Sequence, residues 1–124
     1  MEKIMDITPA QLERYRRSAR EREAARKQQL AARHKRAWEV AHQAARLLKR
    51  EFGATRVVIF GSLIHPELFH IHSDIDLAAR DIQHYYRAVA HLLDLDPEIN
   101  VDLIPIEDAK PAILGLIEKE GVEL

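Results

Sequence analysis

From Ala10 to Phe52 the chain contains neither glycine nor proline, a long run for a protein of 124 residues and one with nothing in it to break a helix. Thr8-Pro9-Ala10-Gln11 has the form of a helix start, with a threonine cap, proline at the first helical position and glutamine three residues after the cap. Gly53 supplies a stop signal. A single helix over residues 9–52 would run about 66 Å, more than twice the roughly 30 Å width of a small domain. Half of it must project, or the helix must bend.

The apolar pattern says which half packs. Trp38, Ala41, Ala45, Leu48 and Phe52 recur at steps of three and four and form a core-facing stripe. Followed backward, the stripe meets His34, Ala31 and Lys27 and fades. Arg14, Arg16, Arg17, Arg20, Arg22, Arg26, Lys27, Arg33, Lys35 and Arg36 crowd the first half, opposed there by Glu13, Glu21 and Glu23. That half reads as a basic arm over residues 1–36 with a short stripe of its own, Leu12, Tyr15 and Ala19. The change of character predicts a break or hinge between Gln28 and His34.

After Gly53 strands and helices alternate. Strands are predicted at Arg56–Phe60, Ser73–Ala79 and Ile99–Pro105, and helices at Ile82–Leu93 and Lys110–Glu120. A turn at Gly61-Ser62 leads into a short helix or irregular loop over Leu63–Phe69. This order calls for an α/β or α+β fold, a small mixed sheet flanked by helices. The part after Gly53 is marginal as a core by itself, so the Trp38–Phe52 helix belongs to it structurally.

Composition narrows the function classes. There is no cysteine, which excludes disulfides and thiolate zinc sites and fits a reducing compartment. No apolar run approaches the roughly 18 residues of a membrane span, and Met1–Asp6 lacks the apolar core of a signal peptide. The expectation is a cytoplasmic protein with no membrane partner. Its net charge of −1 conceals an asymmetry. Residues 1–50 carry 14 Lys/Arg against 6 Asp/Glu, and residues 51–124 carry 5 against 14. The halves either attract one another within the fold, or the basic half meets an acidic partner or polyanion while the acidic half holds cations. An acidic protein partner is preferred for the arm. RNA comes second, because Tyr15 is the arm's one aromatic residue for stacking on bases.

Two of the apolar strands carry charge that a strand core does not bury cheaply. In Ser73-Asp74-Ile75-Asp76-Leu77 the carboxylates two apart point to one face, and Ile75 and Leu77 to the other. In Asn100-Val101-Asp102-Leu103-Ile104 a third carboxylate joins them if that strand lies beside the second. Three converging carboxylates repel unless a hard cation sits between them, and an all-oxygen donor set selects Mg²⁺ or Mn²⁺. Gly61-Ser62, closing Val57-Val58-Ile59-Phe60, adds a turn where backbone can approach a phosphate closely. The alternatives are solvated carboxylates at a strand end, an Asp102–Arg80 ion pair, and a Ser62 that merely caps the next helix. His65, His70 and His72 form a second, weaker metal candidate on a loop. His84 and His91, seven apart on a predicted helix, read as surface or boundary residues.

Together, Val58-Ile59-Phe60-Gly61-Ser62, Ser73-Asp74-Ile75-Asp76-Leu77 and Val101-Asp102-Leu103-Ile104 resemble the signature of the minimal nucleotidyltransferases, within the polymerase-β-like nucleotidyltransferase superfamily. The resemblance covers roughly residues 53–124 and extends to the closing Leu116–Val122. It implies a nucleotidyltransferase fold over residues 37–124 and transfer of a nucleoside monophosphate, AMP from ATP in the commonest case, to a hydroxyl. Gly61 and Ser62 would hold the triphosphate and Asp74 and Asp76 the metal ions. Asp102 would act as ligand or general base. Many such proteins are antitoxins that adenylylate a helical HEPN-type RNase toxin, which makes that toxin the expected partner, through the arm. A homo-oligomer, a binding module that neutralises by occlusion, and transfer to a small molecule or RNA end are the other expectations. The chain departs from the pattern in two ways. Leu63-Ile64-His65-Pro66 stands where an arginine often follows Gly-Ser, and eleven residues rather than ten separate Ser62 from Asp74.

Overall fold

The computed structural model describes residues 6–124; the first five residues of the arm, and with them most of the Met1–Asp6 segment, lie outside the described residues. A capping box opens the first helix, α1 (Pro9–Glu51). Thr8 Oγ1 accepts from the Gln11 amide at 3.1 Å, and the Thr8 amide donates to Gln11 Oε1 at 2.9 Å. The helix then runs without interruption to Glu51, so no hinge falls between Gln28 and His34. The fading stripe changes what the helix touches. It does not change the backbone, because Gln28-Gln29-Leu30-Ala31-Ala32-Arg33-His34 holds no residue that breaks the hydrogen-bond ladder.

Packing begins near Leu30. Residues 9–29 are exposed apart from a partly covered Ala19, whereas Ala37, Val40, Ala41, Ala44, Ala45 and Leu48 are buried. The buried face is mostly alanine, which lets the helix axis come close to the sheet.

That sheet has the order β3-β2-β1-β4, built from β1 (Arg56–Phe60), β2 (Ile75–Arg80), β3 (Val101–Pro105) and β4 (Val122–Glu123). β2 and β4 both run antiparallel to β1, while β3 runs parallel to β2 and is reached through α2 (Tyr85–Leu93). The mixed α+β sheet expected from the alternating pattern is therefore present. Only β4 was not foreseen: it follows α3 (Pro111–Glu120) and returns the chain end to β1.

Strand alternation divides the core in two. Val57, Ile59, Ile75, Leu77, Ala79, Val101 and Leu103 face α1 and α2. Val58, Phe60, Ala78 and Ile106 face α3, which contributes Ile117. Helix α2 starts three residues later than its apolar spacing predicts, since Asp81 and His84 take left-handed backbone conformations (φ 64° and 54°). The Gln83 amide there bonds the Phe52 carbonyl at 2.8 Å and ties the end of α1 to the crossover. Among the described residues no helix is long and apolar enough to cross a membrane.

Because Leu48 is fully buried and Leu12 lies on the arm, Leu48→Ala is expected to cost about 2–5 kcal/mol. Leu12→Ala should stay within about 0.5 kcal/mol. Denaturant unfolding of the two variants measures the difference.

Candidate active site

Parallel pairing of β2 with β3 sets Asp76 opposite Asp102, with Leu77 opposite Leu103 and Ile75 opposite Val101. The antiparallel neighbour places Phe60, the residue before Gly61, opposite Asp76. Alternation then puts Asp74, Asp76 and Asp102 on the face that carries Phe60, Ala78 and Ile104. Helix α3 covers the apolar part of that face through Ile113, Leu114 and Ile117 and leaves the carboxylate end open. Asp74 and Asp76 are half-buried and Asp102 is exposed.

The three groups sense one another. Burial, then the Asp102 and Asp74 carboxylates, push the Asp76 carboxyl up from its ordinary 3.8 to about 6. Partial burial against the sheet, then Asp74, raises Asp102 as well. No cation and no hydrogen-bond donor among the described residues offsets the rise at Asp76. Arg80, the ion-pair alternative for Asp102, stands at the far end of β2 opposite Arg56.

Gly61 begins a 3-10 turn, Gly61–Ile64, directly after β1. Its φ of +81° is left-handed, and a Cβ built there would overlap Asp76 Oδ2. The Gly-Ser bend and the carboxylates thus touch, and only glycine allows it. Ser62 sits half-buried in the turn, with its carbonyl accepting from the His65 amide at 3.1 Å.

Helix α1 braces both shoulders of this site. His34 Nε2 lies 3.1 Å from the Leu63 carbonyl, and the Arg33 guanidinium donates to the carbonyls of Ser73 (3.3 Å) and Glu98 (3.1 Å). Sequence reasoning missed both positioning residues. The available signal was that Arg33 and His34 lie one helical turn before Ala37, where the packing stripe was still fading. Ser73 is buried ahead of β2, and its hydroxyl accepts from the His70 amide at 2.9 Å.

The loop histidines are otherwise engaged. His65 lies 3.1 Å from Glu120 and 3.5 Å from Glu67, and His70 Nδ1 accepts from the His72 amide at 3.1 Å. Among the described residues no three His, Asp or Glu side chains are gathered tightly enough to form a metal cage as they stand. The chemistry of the carboxylate set nonetheless fits a hard divalent ion. All three donors are carboxylate oxygens, their neighbours raise the affinity of Asp76 and Asp102 for positive charge, and the space beside Asp76 is one that a Cβ would fill.

No family model matches the chain, and no curated protein does either. Solved structures do. A toxin–antitoxin complex with AMP-PNP aligns with a TM-score of 0.57 at 19% identity, over 67% of this chain and 70% of that one. The Shewanella oneidensis complex of a tri-AMPylated HEPN toxin with its MNT antitoxin aligns with a TM-score of 0.52 at 17% identity, over 70% of each chain. An MntA–HepT toxin–antitoxin structure gives 0.52 at 16% identity, over 69% of each. At these identities the likeness establishes a shared fold.

Two outcomes are expected from the geometry. Asp76 gains affinity for a proton on folding, so in the absence of divalent ions its contribution to stability is lost as pH rises from 3.8 toward about 6. Carboxyl-detected NMR titration should find Asp76 titrating near 6, and Asp102→Asn should lower it. Gly61→Ala should displace the Asp76 carboxylate and cost about 1–3 kcal/mol for the left-handed backbone, read by thermal unfolding.

Proposed function

We propose that this chain is a divalent-metal-dependent nucleotidyltransferase that moves AMP from ATP to a hydroxyl of a HEPN-type toxin, acting as its antitoxin. One observation carries it: the register that sets Asp76 beside Asp102 also sets Asp76 against Gly61. Carboxylates for cations and a close-approach turn for phosphate then occupy one open strand end. The fold is shared with chains from toxin–antitoxin crystals, one containing AMP-PNP and one a tri-AMPylated toxin.

Asp74 and Asp76 would hold Mg²⁺ or Mn²⁺, with Asp102 as a third ligand; such an ion supplies neutralising charge to the triphosphate and polarises the α-phosphorus. Gly61 and Ser62 take the phosphate chain along backbone that carries no Cβ at its closest point. Asp102, the most exposed of the three, faces an incoming acceptor. The acceptor O–H proton passes to Asp102, the acceptor oxygen bonds to the α-phosphorus, and the bond to the bridging oxygen breaks to release pyrophosphate. Helix α3 leaves the carboxylate end open among the described residues, which gives room for an acceptor delivered by a partner protein.

A second reading, neutralisation by occlusion without transfer, is favoured by the absence of a ready-made three-group cage among the described residues. One assay separates the two. With α-labelled ATP, Mg²⁺ and a HEPN-type protein, label is expected on the toxin. Asp74→Asn/Asp76→Asn should abolish it and Asp102→Asn should slow it by at least about 100-fold. Neutralisation that survives the double substitution, with no label from the unmodified chain, would establish occlusion instead.

A further inference from the structure

The direction in which α1 leaves the body bears on the site. Arg33 and His34 sit level with Ser73 and Leu63 at the carboxylate end of the sheet, while Phe52 sits level with Gln83 at the other end. Residues 9–29 therefore extend about 30 Å beyond the end that carries Asp74, Asp76 and Asp102. The arm leaves at the carboxylate end of the sheet, from the face opposite the one that carries the carboxylates.

The arm is also out of charge balance. Glu13 pairs with Arg20 and Glu23 with Arg26, both in the open. Arg14, Arg16, Arg17 and Arg22 meet no carboxylate within ion-pair distance among the described residues. Beside them lies the apolar stripe, with Leu12 38% and Tyr15 65% exposed. The carboxylate end has the opposite pattern. Its bordering loop exposes Leu68 (60%) and Ile71 (48%), and next to it stand three carboxylates with no cation among the described residues to meet Asp76.

We propose that the acidic partner of the arm is a second copy of this chain: the arm of each protomer lies across the carboxylate end of the other. Leu12 and Tyr15 then cover Leu68 and Ile71, and the arm's arginines face the carboxylates. Two copies related by a twofold axis, carboxylate ends facing, make both contacts at once. The arm's free length matches the width of the body it must cross. Arm-on-arm pairing would set arginine against arginine and is disfavoured by charge. Resting for its ligand on the nucleotidyl-transfer reading, this arrangement also gives the triphosphate site the cations that Leu63-Ile64-His65-Pro66 does not provide.

Sedimentation equilibrium of the full chain without nucleotide tests it. A dimer is expected that weakens at least about tenfold between about 0.05 and 0.5 M salt, as screening dictates. Arg16→Glu/Arg17→Glu and Asp74→Lys/Asp102→Lys should each be monomeric and keep the parent's helical circular dichroism. Mixed together they should form a heterodimer, because the reversed arm then meets the reversed site and the unaltered arm meets the unaltered site. A monomer at every salt, a dimer strengthened by the arm reversal (arm on arm), or bound nucleic acid that charges the arm instead would each overturn the proposal. A monomer that transfers AMP would overturn this arrangement alone. A dimer of the expected pattern that transfers nothing would overturn the transferase reading alone.

Discussion

The pairing of β2 with β3 is the constraint on which the rest depends. A slip of one residue would turn Asp102 toward α1 and bring Val101 and Leu103 out to the open face. Several buried contacts oppose that slip. Ile75 and Leu77 stand opposite Val101 and Leu103, all four buried, and the Ile75 amide bonds the Asn100 carbonyl at 2.9 Å. From the crossover helix the Tyr85 hydroxyl donates to the Leu103 carbonyl at 2.7 Å. Apolar residues on one face thus fix the register that collects carboxylates on the other. The acidic set is costly to the fold and is held in place by groups it never touches.

Helix α1 lives in two regimes along one backbone. Its second half is held by an alanine-rich face against the sheet. Its first half has only a capping box, exposed Arg–Glu pairs and high-propensity residues, and such pairs contribute little in water. An isolated helix of that length would be marginal because nucleation is unfavourable. Here the packed half supplies the nucleus, and each arm residue adds one bond to a ladder that already exists. That is why a chain whose amphipathic stripe fades does not bend: the stripe governs burial, and the backbone follows propensity.

Period-two alternation made the two faces legible before any coordinates: Ile75 and Leu77 fall in the core and Asp74 and Asp76 do not, and β1 ends at its glycine as read. The parallel adjacency that brings Asp102 alongside was conditional on strand order, which sequence periodicity does not encode. The hinge was misread because a change in what a helix faces was taken for a change in the helix. Arg33 and His34 stayed hidden for a related reason. Their partners are main-chain carbonyls at Ser73, Glu98 and Leu63, and backbone acceptors leave no mark in a side-chain pattern. The late start of α2 depends on two left-handed residues, Asp81 and His84, neither of them glycine, so no turn signal announced it.

The charge asymmetry between the halves has a partial resolution within the fold. Arg36 meets Asp96 at 2.8 Å, Arg33 caps two carbonyls of the acidic half, and Lys49 bonds the Leu124 carbonyl. All of these lie where α1 already touches the body. Attraction between the halves therefore uses cations that packing brings into reach, and it stops where packing stops. Toward the amino end the arginines continue without a body beneath them, while among the described residues the carboxylate end carries acid without a base to meet Asp76. Helical stiffness keeps the two apart within one chain: a straight helix cannot fold its own amino end back around the sheet onto the carboxylates. Charge that rigidity prevents from meeting in cis can be neutralised only in trans, by ions, by a ligand or by another macromolecule.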